Sequence, residues 1–387
     1  MKLYCTEAGR MLELEAKPVL QFYVCGITPY DSMHVGHVAM FLTYDVLSRR
    51  MQQLGSEVRI VRNITDVDDP LLPRAQALNI PYWELVESEV TQYHSDVRAL
   101  GLLPAVTEAR ASEHVEQMAD TVAELLDSGH AYRLADTVYF AVESDPAFGS
   151  LSKLAQPEML EAAAERGGDP ERAGKRHPLD FILWQPSRAG EPEYTTRVGN
   201  GRPGWHIGCS VMSREHLGTI DLHGGGEDLI FPHHECENAQ NRAMRRGSQV
   251  GMWVHAAFVS YDGHKMSKSL GNIVLARDLL KEHDPRVIRL AILAHYRHRV
   301  GMDWNDDYLT TAAAMLQRWT IAAEHGSGPD PRPFEQDFFT HLDNGLEVPE
   351  AISVLDNFTR AINESGGTAP AGEALARMTA ALGIDLS

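Results

Sequence analysis

Residues 21–37 read "QFYVCGITPYDSMHVGH", and the segment that follows, "VAMFLTYDVLSRRM", carries apolar residues at helical spacing. The apolar run is short enough for a buried strand, so the stretch is a strand-to-helix turn. A second strand-like run, "EVRIVRNITD", comes next. Strand, helix and strand in succession over residues 21–65 restrict the chain to an α/β fold with parallel strands. In such sheets ligands sit at the carboxyl end of a strand and the amino end of a helix. This turn holds Cys25, His34 and His37 there. On residue types alone, a cysteine followed by H-x-x-H fits a metal site, a nucleotide site, or parts of both.

Helical patterns continue over residues 81–101 and 113–128, and "AYRLADTVYFAV" at 131–142 alternates like a hairpin. Residues 144–204 are rich in Gly, Pro and charge and read as an insertion with its own small structure. Parallel-sheet signals resume with "GTIDLHGGGEDLIF" and "MWVHAAFVSYDG". After "DPRVIRLAILAHY" the pattern is helical to the end, interrupted only by "GSGPDPRP" at 326–333. There is no internal repeat and no low-complexity segment. The expected architecture is a doubly wound, Rossmann-like catalytic domain over residues 1–300. It carries an insertion over about residues 105–200, and a helical domain spans 301–387.

The first residues contain no apolar targeting segment, and no later run is long and apolar enough to cross a bilayer. A soluble, cytoplasmic, monomeric protein without a membrane partner is expected. Four cysteines in 387 residues do not make a disulfide framework; in a reducing compartment they are buried thiols or metal ligands. The 54 acidic residues outnumber 35 basic ones, for a formal charge of −19. A long polyanion is normally held by gathered Lys and Arg. The balance therefore argues modestly against a nucleic-acid partner, although a local basic patch would not show in the total.

A second chemical motif is "HKMSKSLGN" at 264–272, with Lys265, Ser267, Lys268 and Ser269 beyond the turn "YDG". Lysines among small hydroxyl residues suit a polyphosphate whose charge grows as a bond to phosphorus breaks. Taken alone, the motif equally fits a solvated loop. Paired with "HVGH", it points to ATP, with His34 and His37 facing the phosphates and Gly36 admitting the adenine to the backbone.

The pair resembles the "HIGH" and "KMSKS" signatures of class I aminoacyl-tRNA synthetases, which activate an amino-acid carboxylate with MgATP. "FYVCGITPYDSMHVGH", "VRNITDVDD", "GWHIGCS", "HGGGEDLIFPHHECE" and "KMSKSLGN" are similar, in order and spacing, to the cysteinyl branch across residues 20–275. The resemblance implies one Zn²⁺ per chain held by Cys25, Cys209 and His233, with Glu237 as a possible fourth ligand one turn after His233. Two thiolates and an imidazole leave one tetrahedral position open for a substrate thiolate, which a serine hydroxyl fills poorly. Cys5 and Cys236 are expected to be buried small hydrophobes. Catalysis falls to His34, His37, Lys265 and Lys268. Gly26, Ile27 and Thr28 would line the adenylate, and Asn63, Ile64 and Thr65 would contact its aminoacyl part. Trp205 would wall the cysteine pocket, unless it is an ordinary core aromatic. Gly226, Glu227 and Asp228 would sit under the ribose, and Val259 would meet adenine through its backbone.

Within the insertion, "ERGGDP" at 165–170 resembles a signature of the mycothiol-pathway cysteine ligases, as does "CGITPYD" at 25–31. Those enzymes resemble truncated cysteinyl-tRNA synthetases and join cysteine to the amine of glucosaminyl-inositol. The expected function is therefore ATP-dependent ligation of L-cysteine to an amino-sugar inositol through a cysteinyl adenylate, releasing AMP and pyrophosphate. Gly208 stands where the family usually has Glu, and Met40 where it usually has Thr, which bears on the acceptor. A short cysteinyl-tRNA synthetase, a ligase for another amine, and a zinc-binding regulatory paralogue remain as alternatives.

Overall fold

The computed structural model describes residues 1–266, 270–365 and 368–386, excepting the side chains of Lys265 and Ser365. At its centre lies a five-stranded parallel sheet, ordered Trp253–Ala256, Leu222–Gly226, Val19–Ile27, Glu57–Ile64 and Thr107–Arg110. The chain enters at the middle strand, Val19–Ile27, and builds outward through Glu57–Ile64 to Thr107–Arg110. It then crosses to the other side for Leu222–Gly226 and Trp253–Ala256. Strand order thus reverses between Val19–Ile27 and Leu222–Gly226, and the crevice at such a reversal is where open α/β sheets bind ligands. The doubly wound fold read from the sequence is the fold observed.

The middle strand is apolar along most of its length because helices cover both faces of the sheet. Helix Val35–Gln53 packs across it and buries Val38, Phe41, Leu42, Val46 and Leu47. Its Tyr44 joins helix to sheet: the hydroxyl donates toward the Gly225 and Val254 carbonyls, 2.8 Å each, and accepts from Gly225 N–H at 2.6 Å. Gly224 makes room for that ring, since a Cβ there would lie 2.4 Å from it. On the same helix, buried Asp45 pairs with Arg289 and accepts from Leu103 N–H at 2.7 Å. Arg289 also donates to the Leu382 carbonyl, so this satisfied ion pair ties the C-terminal helices to the sheet.

Residues after the fifth strand form an antiparallel sheet of Ala131–Leu134, Thr137–Phe140, Phe181–Gln185, Gly199–Pro203 and Tyr194–Thr196, in that spatial order. Its core, around Phe140, Leu183 and Trp184, is continuous with the packing around helix Trp205–His216 and reaches Cys25 and Cys209. The helices Asp307–His325, Arg332–Asp343, Val348–Ser365 and Gly372–Ala381 bury Trp319, Phe338, Leu355 and Met378 in the same apolar cluster as the sheet. No helix among the described residues is long and apolar enough to cross a membrane.

Two regions carry strands that the sequence reading did not give. The chain after residue 296 is not helical throughout: Met302–Trp304 is a strand paired in parallel with Val259–Tyr261, and Ser327–Gly328 pairs with Ala369–Pro370. At the amino terminus, Lys2–Cys5 and Arg10–Glu13 form a hairpin. Segments this short show no measurable period, so only their partners make them strands.

Candidate active site and metal centre

A cavity of about 460 Å³ opens at the carboxyl ends of Val19–Ile27 and Leu222–Gly226. Gly26, Ile27 and Thr28 form one wall, Gly226 and Asp228 another, and His34, Gly36 and His37 present the start of helix Val35–Gln53. Val259, Met266, Ile273 and Leu275 supply an apolar side. A side chain at Gly36 would fill the space between His34 and Val259, its Cβ 2.8 Å from the His34 ring and 4.0 Å from Val259.

The H-x-x-H spacing has a geometric consequence. His34 is the N-cap; its Nδ1 accepts from Gly36 N–H at 3.0 Å, while His34 N–H donates to His37 Nδ1 at 3.3 Å. The two rings lie 4.0 Å apart. With both Nδ1 atoms accepting, each ring carries its proton on Nε2. Burial pushes His37 down to about 4 against the pull of Asp31, so it is a neutral N–H donor near pH 7. Two such donors at a helix amino end suit a phosphate.

Other expected residues stand farther from the cavity. Gly26 presses so closely on the next strand that a Cβ would lie 2.0 Å from the Asn63 carbonyl oxygen. Asn63 Oδ1 accepts from Gly26 N–H at 2.9 Å, and its amide donates to Thr65 Oγ1 at 2.8 Å. Asn63, Ile64 and Thr65 therefore buttress the wall and do not line the cavity. Glu227 accepts from Phe258 N–H at 2.8 Å, outside the lining. The backbone of Lys265 forms a short strand, His264–Lys265, against Val259–Tyr261. Ser267, Lys268 and Ser269 lie outside the described residues.

Next along the middle strand from the wall residue Gly26, Cys25 joins three other buried side chains. One ligand atom each from Cys25, Cys209, His233 and Glu237 lies within 4.8 Å of the others. They come from the middle strand, helix Trp205–His216, the π-turn Ile230–His234 and helix Glu235–Ala243. His233 Nε2 is 3.0 Å from Glu237 Oε1. A hydrogen bond from Cys25 draws the Cys209 thiol down to about 7, whereas burial pushes Cys25 and Glu237 up. Neither Glu237 oxygen has a hydrogen-bond partner among the described residues. A buried carboxyl faced by imidazole nitrogens, of His233 at 3.0 Å, His223 at 3.5 Å and His234 at 3.9 Å, beside two thiols, fits zinc because the donors are the right types.

Trp205 stacks on His233 with ring centres 4.3 Å apart, placing it at the Cys/His/Glu cluster and away from the cavity lining. Cys5 and Cys236 are buried thiols.

Several residues of the site were not singled out from sequence. His206 Nδ1 lies 2.9 Å from His233 Nδ1 and fixes that ring. His234 Nε2 approaches Cys25 Sγ at 3.2 Å, and a chain of 2.7 Å contacts runs from its Nδ1 through His255 to Thr6. Cys25, His223, His234 and Glu237 form a second, overlapping set of convergent donors. The one sequence signal was polar histidine inside apolar strands, in "IDLHGG" and "WVHAAF". Met40 lines the cavity, and Gly208 is buried with Met118 and Met212 beside it.

Residues 12–314 match the family described as tRNA synthetases class I (C) catalytic domain. The chain is 40% identical over 390 residues to the L-cysteine:1D-myo-inositol 2-amino-2-deoxy-alpha-D-glucopyranoside ligase of Streptosporangium roseum, covering 100% of this chain and 96% of that one. It is 42% identical to the like-named ligase of Thermobifida fusca, covering 98% and 92%. Among solved structures, Mycobacterium tuberculosis methionyl-tRNA synthetase in complex with methionyl-adenylate superposes with a TM-score of 0.66. Identity is 14%, with 96% of this chain and 89% of that one covered, a likeness of fold.

Proposed function

The chain belongs to the class I (C) tRNA synthetase catalytic-domain family, and from that premise we propose that it joins L-cysteine to the amine of 1D-myo-inositol 2-amino-2-deoxy-alpha-D-glucopyranoside at the expense of ATP. It is an ATP-dependent ligase, and its full-length relatives carry that ligase name. The observation that carries the choice of cysteine is the buried cluster of Cys25, Cys209, His233 and Glu237, whose Cys25 immediately precedes the cavity-wall residue Gly26.

In this reading the cysteine carboxylate attacks the α-phosphorus of MgATP, and pyrophosphate leaves. The Nε2 protons of His34 and His37 meet phosphate oxygens as charge develops there, joined by Lys265 and Lys268 of the "KMSKS" motif. Gly26, Ile27 and Thr28 bind the adenylate along one wall, Gly226 and Asp228 the ribose, and Val259 the adenine, with Glu227 bracing Phe258 N–H. Asn63, Ile64 and Thr65 hold that wall in register. Cys25, Cys209 and His233 would hold Zn²⁺, with Glu237 beside them and one position left for the substrate, and the ion would supply a strong contact for a thiolate and a weak one for a hydroxyl. Trp205 keeps His233 in place by stacking. The acceptor amine then attacks the activated carboxyl, forming the amide and releasing AMP.

The test incubates the full-length protein with cysteine, MgATP and either the amino-sugar inositol or tRNA, and follows amide and aminoacyl-tRNA by mass spectrometry. Amide and AMP in equal amounts support the reading. Charging of tRNA without amide overturns it.

A further inference from the structure

The segment "DVDD" carries three acidic residues close to the cavity, and their partners differ. Asp66 is bonded by Ser112 N–H and Oγ at 2.8 and 2.7 Å and lies 3.9 Å from Arg110. Asp69 pairs with Arg202 at 2.5 Å and Arg188 at 3.0 Å. Asp68 is buried and, among the described residues, no basic side chain pairs with it. Its Oδ1 accepts from Asp69 N–H at 2.8 Å, and its Oδ2 accepts from Thr28 Oγ1 at 3.2 Å. Thr28 is a wall residue of the cavity. A buried carboxylate without a cation is costly to keep, and one hydroxyl away from a reaction chamber it is a candidate for chemistry.

Resting on the function above, we propose that Asp68 receives, through the Thr28 hydroxyl, the proton that the acceptor's ammonium group must lose before it attacks. The ammonium gives a proton to Thr28 Oγ as the Thr28 hydroxyl proton passes to Asp68 Oδ2. The freed amine lone pair then forms the C–N bond to the cysteinyl carbonyl. The bond from that carbon to the adenylate oxygen breaks, and AMP leaves with its electrons. The second amine proton goes to water.

The electrostatics suit this task. Burial raises Asp68 to about 6, with Asp69 adding and the backbone N–H of Asp69, Arg202 and Thr28 opposing. The other groups facing it are Asp66, Tyr30 and Tyr82, whose hydroxyl accepts from Asp68 N–H at 3.4 Å. A proton acceptor near neutrality serves transfer, whereas merely holding cysteine's own ammonium would call for a carboxylate that stays ionised. Asp31, Asp68 and Asp228 also bear together on Tyr30 at the cavity, a field that draws a cationic amine.

The experiment measures both half-reactions on full-length wild type, Asp68→Asn and Asp68→Glu. Pyrophosphate exchange with cysteine and ATP reports activation; single-turnover amide formation with the amino-sugar inositol reports transfer. Asp68→Asn should slow transfer about 100-fold while exchange changes less than about threefold, and Asp68→Glu should recover part of the loss. The wild-type transfer rate should fall through a limb near pH 6 that Asp68→Asn lacks. Equal losses in both half-reactions, a raised KM for cysteine, or unchanged transfer would overturn the proposal. Should Asp68→Asn not fold, absence of that limb in the wild type overturns it alone. No exchange by the wild type would instead remove the functional reading beneath it.

Discussion

Glu237 lies one helical turn after His233, with Oε1 3.0 Å from His233 Nε2, and neither of its carboxylate oxygens accepts a hydrogen bond from the described residues. Burial favours the neutral form of that carboxyl, and a cation sharing the site is what would hold it ionised. The full-length protein should therefore purify with about one Zn²⁺ per chain, measured by elemental analysis. Cys209→Ala should lose metal and cysteine affinity together, and Glu237→Gln should weaken metal retention at least about tenfold. Cysteine-dependent pyrophosphate exchange at full rate by a chelator-stripped protein would rule the metal role out.

His34 Nδ1 accepts from Gly36 N–H and His37 Nδ1 from His34 N–H at the helix start, which sets the proton of each ring on Nε2. His37→Ala should slow adenylate formation about 100-fold with little change in cysteine affinity, because the contact strengthens as charge develops on the phosphates. Lys268→Ala, argued from its motif alone, should behave alike. A loss confined to cysteine binding would assign these residues another role.

The strand–turn–helix and its H-x-x-H were legible because every signal lies within one local stretch, Val19 to Gln53, where apolar period and spacing survive without tertiary information. The convergence of His206, His223, His234 and His255 was not. They come from different elements: the parallel register sets His223 beside Tyr23 and Trp253 and brings in His255, while His206 sits on helix Trp205–His216 and His234 on the turn Ile230–His234. Asp68 was hidden differently: its neighbours Asp66 and Asp69 look identical in sequence, and only the positions of Ser112, Arg188 and Arg202 show which carboxylate lacks a cation. The strand Met302–Trp304 is too short to carry a period at all.

Gly208 stands where the sequence resemblance leads one to expect Glu, and its surroundings are apolar: a Cβ there would sit 3.5 Å from the Met212 methyl and 3.6 Å from that of Met118. Those are ordinary contacts, and the residue is inside helix Trp205–His216. Gly208→Ala should therefore raise stability by about 0.5–1 kcal/mol through reduced freedom of the unfolded chain. Gly208→Glu should lower it by about 3 kcal/mol or more, since the carboxylate would be buried against two thioethers. Thermal unfolding of both variants decides the matter; a stabilising Glu would mean that a cation or donor reaches this position.

His298 gives the fold a specific acid sensitivity. It is buried, its carbonyl accepts from Ala257 N–H at 2.6 Å, and its Nε2 has no hydrogen-bond partner among the described residues. Burial, helped by Arg299, pushes the ring down to about 4. Above the unfolded value of about 6.5 both states are neutral and the ring contributes nothing to pH dependence. As pH falls from there toward about 4, the unfolded chain takes up a proton that the folded one refuses, so stability is lost across that window. His37 acts in the same direction, and Asp68, whose folded value is raised, opposes it. The His298 share can be isolated with His298→Gln. Between about pH 7.5 and 4.5, urea unfolding should show the wild type losing about 2–3 kcal/mol more than the variant. Parallel losses would mean that His298 accepts a proton without unfolding, through a rearrangement that brings its Nε2 to water.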